Sequence, residues 1–374
     1  MSSDDHVPHV RALRHWKVKG FAFLVGLLAF VVSAGCGGGS TNTNGGRGAF
    51  VSGTITVGTT PSAIAVDSTA NKIYVTDFGS IPRGVPCSAS GADVEAIDGA
   101  TQAKTSVGFA PDPAFVRQVT PTAAALNPAN HTLYVQVRAY WNGIKAQDLC
   151  GPVLGGVEAF DTTPLQPPAG IDLAGAGVGI DVNPTSGDTY VARGDVFVLD
   201  GSGNPLTTIP VGTNPVGVAV NATTGKIYVA NSGSNNISVI DGASNAVVAT
   251  VTDPHAIAPV ALAVNATTNT IYVANSQSNN LTVIAGSTNA VTATIPVGAS
   301  PSGVAVESQT NFIYVASAAS GNITVINGMT NAMATLSDPS AKNPVAVAAN
   351  SVTNKIYVAN SGSNNVTVID GAHE

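Results

Sequence analysis

PVGVAVNATTGKIYVANSGSNNISVIDG, residues 215–242, returns with few changes as PVAVAANSVTNKIYVANSGSNNVTVIDG at 344–371. Between the two copies lie IYVANSQSNNLTVIAG (271–286) and IYVASAASGNITVING (313–328). The Tyr-Val pair inside this unit recurs at Tyr74, Tyr134, Tyr190, Tyr228, Tyr272, Tyr314 and Tyr357, at spacings of 60, 56, 38, 44, 42 and 43. The last four spacings average about 42, inside the period of about 40–45 residues that marks propeller blades.

Each unit reads as four strands, A to D. In the fourth unit A is Pro215 to Asn221, B is Lys226 to Ala230, C is Asn236 to Asp241 and D is Asn245 to Thr252. Apolar residues alternate along B and C, as expected of strands packed between neighbouring sheets. Strand A is rich in small residues (Gly217-Val218-Ala219, Gly303-Val304-Ala305), which suits strands converging on an axis. Asp-Gly pairs such as Asp98-Gly99, Asp200-Gly201, Asp241-Gly242 and Asp370-Gly371 follow strand C and read as turn formers. The seventh unit stops just after Asp370-Gly371 and lacks a strand D, while AFVSGTITVG (49–58) aligns with the strand D segment NAVTATIPVG (289–298). Residues 49–57 are therefore expected to complete the seventh blade and close the ring, covering edges an open sheet would expose. The expectation is an all-β, seven-bladed propeller over residues 49–374.

Composition agrees. Of 374 residues, 40 are Gly and 22 Pro, about one in six, and only 10% are charged while 44% are hydrophobic. That excludes coiled coils, which need far more Glu, Lys and Arg, and disorder, which needs fewer apolar residues. A net charge of −7 opposes a nucleic-acid partner, which requires a basic face. The IYVTD of residues 73–77 and the later IYVAN copies resemble the YVTN family of β-propeller repeats, which also occurs in surface-layer and YncE-like proteins. The resemblance spans residue 49 to the end and implies the fold and an exported setting more than any activity.

The first 36 residues differ from the rest. Arg11, Arg14, Lys17 and Lys19 precede an uncharged run from Phe21 to Val32, the layout of a secretory signal. The run is short for a membrane span, which needs about 20 apolar residues. Val32-Ser33-Ala34-Gly35-Cys36, followed by Gly37-Gly38-Gly39-Ser40, resembles a bacterial lipobox with Ser33 where Leu is preferred. Residues 1–35 are thus expected to be a lipoprotein signal peptide, Cys36 the lipidated first residue, and 36–48 a tether. The alternatives are an ordinary signal-peptidase site after Val32-Ser33-Ala34, or a retained anchor. Removing residues 1–35 takes away four basic and two acidic residues and moves the charge from −7 to about −9. The expected location is the outer face of a bacterial membrane, periplasmic or cell-surface, with secretion as the fallback.

Departures from the repeat point to a binding face. With A to D antiparallel, the D–A and B–C loops share one face of the disc, and the A–B and C–D turns share the other. Blade 1 has extra residues at roughly 78–92 between B and C and a long D–A connection (109–118), and blade 2 has extra residues at roughly 139–155. Insertions gathered on one face of a repeat protein usually mark its binding face. Each insertion carries a cysteine, Cys87 and Cys150, 11 residues before Asp98 and Asp161 respectively. In an oxidising compartment such a pair is expected to bond, with two free thiols or, less simply, a metal site as alternatives. Blade 2's insertion also holds Tyr140 and Trp141 beside Arg138, and such aromatics can stack on a sugar ring or anchor a protein partner, or else pack the loop against the disc. Arg193-Gly194-Asp195 reads as ordinary hairpin chemistry, and the sequon Asn280-Leu281-Thr282 recurs only because the repeat does.

No CxxCH, HExxH, GxSxG or Walker-type sequence occurs. The titratable candidates on the loop face are Arg117, Asp253, His255 and Asp338, of which Asp253-Pro254 and Asp338-Pro339 occupy corresponding D–A loops and suit turns. The expectation is a monomeric, non-catalytic module that binds a protein or surface glycan, with no cofactor, no metal and no nucleic acid. The alternative is a lactonase- or lyase-like propeller enzyme using those four residues, since the fold alone excludes no chemistry.

Overall fold

The computed structural model describes residues 48–79, 92–109, 117–141, 153–165, 169–173 and 177–373. Among them every regular element is a strand, and the strands form seven four-stranded antiparallel sheets. The repeat unit explains why. In blade 4, strands A (Pro215–Asn221), B (Lys226–Asn231), C (Asn236–Asp241) and D (Ala246–Val251) are joined by short turns rich in Asn, Thr, Gly and Ser. Strands B and C are buried on both faces because a neighbouring blade covers each side. Tyr190, Val196 and Val198 of blade 3 meet Val218, Ile227, Val229 and Ile240 of blade 4 in one such layer. All seven repeat tyrosines lie in these layers, none more than 3% exposed.

The innermost strands neighbour one another all the way round, including blade 7 (Pro344–Asn350) against blade 1 (Pro61–Asp67). Closure is made by the N-terminal strand: Phe50–Thr56 pairs antiparallel with strand C of blade 7 (Asn365–Asp370), setting Thr54 opposite Thr367 and Ile55 opposite Val366. Three junctions between neighbouring blades share a side-chain bond on the A–B side. Asn221 Nδ2 donates to Asn269 Oδ1 (2.9 Å), Asn265 Nδ2 to Asn311 Oδ1 (2.7 Å), and Asn350 Nδ2 to Asn71 Oδ1 (2.9 Å), the last joining blade 7 to blade 1. The acceptor asparagines sit at φ of 51–54° in the A–B turns. The glycine after strand C presses on the turn: a Cβ on Gly286 would lie 2.2 Å from Asn269 Oδ1. The Asp of the Asp-Gly pairs is a turn former, as read: Asp98 Oδ1 accepts the N–H groups of Ala100 (3.0 Å) and Thr101 (2.8 Å).

Blade 2 corrects the sequence reading. Arg117 is not in a D–A loop, and Arg138, Tyr140 and Trp141 are not in a B–C loop. Strand A (Arg117–Asn127) and strand B (Thr132–Trp141) pair continuously from Asn127–Thr132 to Arg117–Trp141, and strand C (Val153–Asp161) follows B to Tyr140–Val153. Val119, Val137, Tyr140, Trp141 and Val153 are β-branched or aromatic, types that favour strand over loop.

Candidate functional site

Where the other blades end on the D–A and B–C side, blade 2 continues. Pro121 carries the same register shift as Pro61 and Pro215, so Arg117–Thr120 are four residues beyond the common end of strand A. Val137 matches Asp77 and Asn231 in strand B, so Arg138–Trp141 also lie four residues beyond it. Four residues at about 3.3 Å each extend the sheet by roughly 13 Å. Arg117, Arg138, Tyr140 and Trp141 are all on this extension, with Arg117 directly opposite Trp141. Arg138 is half-buried, and its Nε meets no acceptor among the described residues. Cys36, Cys87 and Cys150 lie outside the described residues, as do the signal segment and almost all of the tether.

The other candidates are not gathered with Arg117. Asp253 and His255 are in the loop from blade 4 to blade 5, and Asp338 is in the loop from blade 6 to blade 7. Asp253 is buried: its Oδ1 accepts the His255 N–H (2.9 Å), and its Oδ2 accepts the Thr282 and Thr294 hydroxyls (2.7 Å each). Burial works to raise its carboxyl pKa, but these bonds outweigh it and hold the group below the usual range. Asp338 repeats the arrangement two blades later, accepting the Ser340 N–H (2.9 Å), Thr367 Oγ1 (2.6 Å) and Thr54 Oγ1 (3.3 Å), and its carboxyl is likewise held low against the effect of burial. His255 Nδ1 is 3.3 Å from Asp253 Oδ1, on a side chain 75% exposed. The cleft beside Asp253, lined by Asn236, Pro259, Asn275 and Thr282, offers room for about one water. Arg193 packs over the Phe197 ring at 5.9 Å and pairs with Asp195 across Gly194 (φ 72°), so the Arg-Gly-Asp tripeptide is a tight hairpin.

These aspartates belong to a polar node that recurs where strands B and C end on this face. In blade 5, Asn275 Nδ2 donates to Asn280 Oδ1 and Thr282 Oγ1 (2.9 Å each), and Thr282 passes the chain to Asp253. Blade 7 does the same with Asn360, Asn365 (3.0 Å), Thr367 (2.9 Å) and Asp338. Blade 4 uses Asn231, Asn236 (2.9 Å) and Ser238 (3.0 Å). In blade 1 the three positions are Asp77, Asp93 and Glu95. A carboxylate oxygen from each lies within 4.8 Å of one from each of the others. Asp77 is 1% and Glu95 8% exposed. Asp77 Oδ1 accepts the Gly79 N–H (2.9 Å), and Asp93 Oδ2 accepts the Ser106 hydroxyl. Asp77 Oδ2, Asp93 Oδ1 and Glu95 Oε2 are buried without a hydrogen bond. Lys104 Nζ stands 3.7 Å from Glu95 Oε2 while donating to Thr56 O (2.7 Å). Burial, then the adjoining Asp93 carboxyl, push Asp77 far above the usual carboxylate range, and burial raises Glu95 against the opposing Lys104. Three carboxylates match no histidine- or cysteine-based metal motif, so no motif in the sequence marks this trio. The signal was available: the repeat alignment replaces Asn, Asn and Thr by Asp, Asp and Glu in blade 1 alone among blades 1, 4, 5 and 7.

Residues 213–240 match the NHL repeat family, a stretch within blade 4 and its approach. No curated protein matches the chain. The β-propeller domain of Cps50 (Swd1) from Myceliophteria thermophila is similar in structure at a TM-score of 0.66 and 7% identity, over 86% of this chain and 99% of that one. In all, 1389 chains of solved structures match, a breadth that ties the fold to no single activity. The chain is a seven-bladed β-propeller built of repeats, one of which is similar to the NHL repeat.

Proposed function

We propose that this protein is a non-catalytic binding module that engages a protein or surface glycan through the D–A and B–C face of blades 1 and 2. The observation that carries the reading is the three-stranded extension of blade 2, which raises Arg117, Arg138, Tyr140 and Trp141 beyond a rim that the other described blades keep short. Arg, Tyr and Trp are the residue types that dominate binding hot spots, and here they stand on paired strands. A propeller with an NHL-like repeat is consistent with protein binding. The setting proposed with it is export by residues 1–35, lipid attachment at Cys36, the tether 36–48, and a monomeric head at the outer face of a bacterial membrane. The Cys87–Cys150 bond is proposed as a clasp between the two insertions.

The enzyme alternative draws on Arg117, Asp253, His255 and Asp338, which sit on blade 2 and on two separate inter-blade loops. Both aspartates are already engaged by hydroxyls and backbone N–H groups. Two variants separate the readings. Arg138→Ala/Tyr140→Ala/Trp141→Ala is expected to abolish binding to isolated cell envelopes, and Asp253→Asn/His255→Ala to leave it intact. Hydrolysis of a lactone panel by the parent that vanishes in the second variant would replace the binding reading with the enzyme.

A further inference from the structure

The polar node of blade 1 differs in kind from its counterparts. In blades 4, 5 and 7 the three positions carry neutral amides and hydroxyls, and only one oxygen of each, Oδ1 of Asn231, Asn275 and Asn360, is buried without a hydrogen bond. In blade 1 the same space holds three carboxylates, and Asp77 Oδ2, Asp93 Oδ1 and Glu95 Oε2 are buried without a hydrogen bond, Lys104 Nζ standing 3.7 Å from the last. Asp77 is the decisive group, 99% buried, with Oδ2 unpartnered and set so tightly against Gly58 that a Cβ there would lie 2.1 Å from it. Leaving a buried carboxylate oxygen unpaired is costly, and three together are more so. Lys104 Nζ, 3.7 Å from Glu95 Oε2, offsets part of the negative charge there.

We propose that Asp77, Asp93 and Glu95 form a binding site for a hard divalent cation, calcium by preference. Oxygen-only ligands suit calcium, whose six to eight positions would be filled by these carboxylates and by water. The Gly79 N–H and Ser106 hydroxyl hold the outer oxygens, as second partners orient metal-binding carboxylates elsewhere. The node stands at the seam of the ring, where Gly58 follows the closing strand and Lys104 bonds to Thr56 O. Bound calcium therefore stabilises closure as well as blade 1. The inference is independent of the proposed partner-binding role.

The test uses the full chain, stripped with chelator and titrated with calcium chloride by isothermal calorimetry and thermal melting. One site per chain is expected, with a dissociation constant on the order of 0.1 mM and a midpoint rise of about 3–6 °C at 5 mM calcium. Asp77→Asn/Asp93→Asn/Glu95→Thr installs the set that blades 5 and 7 already use, and should fold, melt higher than the parent without calcium, and lose the response. Asp93→Asn alone keeps the side-chain volume and should weaken binding at least tenfold. No heat and no shift in the parent would overturn the site, as would calcium binding unchanged in Asp93→Asn or in the triple variant.

Discussion

Thr54 and Thr367 both place a hydroxyl on Asp338 Oδ2, so one carboxylate joins the loop from blade 6, strand C of blade 7 and the closing strand. Removing it strands those hydroxyls, and Asp338→Ala is expected to cost about 2–3 kcal/mol in urea unfolding at pH 7. Its pKa is depressed in the fold, so its contribution is complete above the unfolded value of 3.8 and lost as pH falls through the lower folded value. The gap between parent and variant should therefore narrow below pH 3.8; a gap that stays constant down to pH 2 would contradict the bonding described. Glycines divide in the same concrete way. Gly286→Ala forces a Cβ to 2.2 Å from Asn269 Oδ1 and should cost about 1–3 kcal/mol, whereas Gly53, with nothing within 4 Å, should accept Ala within about 0.5 kcal/mol. Denaturation midpoints of the two variants decide this.

At the scale of elements, the closing strand carries the most. Phe50–Thr56 supplies the fourth strand of blade 7 and covers the edge of Asn365–Asp370. Deleting residues 49–57 should expose that edge and give aggregation or a large fall in melting temperature. A chain starting at Thr59 that melts like the parent would refute the assignment. Blade 2's extension is the opposite case, since its pairs lie beyond the ladder all blades share. Replacing Tyr140 and Trp141 by Ala should leave the melting temperature within about 2 °C. The repeat made strands A to D of blade 4 readable to within a residue or two, because each strand is checked by its copies. Self-comparison has no template for an insertion, so it assigns Arg117 and Arg138–Trp141 to loops, although Val119, Tyr140 and Trp141 are residue types that favour strand. The trio in blade 1 was written in aligned columns, yet carboxylates alone carry no motif, and only burial distinguishes Asp77 from a solvated turn.

For the whole molecule, seven near-identical units fix the ring more firmly than any single contact, which is why a structure sharing 7% identity superposes over 86% of the chain. The same redundancy explains why function is hard to read: most of the sequence is occupied in building blades, and the longest departures from the unit on the loop face are those of blades 1 and 2. Anchorage is a separate expectation at this scale. Mass spectrometry of membrane-associated material should find a diacylglyceryl-modified Cys36 at the mature N-terminus, and a lipid-free product starting there would contradict it. The most direct measurement of the central claim is photo-crosslinking of the full chain to isolated cell envelopes, from a probe at position 140 on the blade 2 extension or at position 223 in an A–B turn of the opposite face. Covalent adducts from position 140, absent from position 223, are the predicted result; adducts only from position 223, or equal yields from both, would contradict binding through the face of blades 1 and 2.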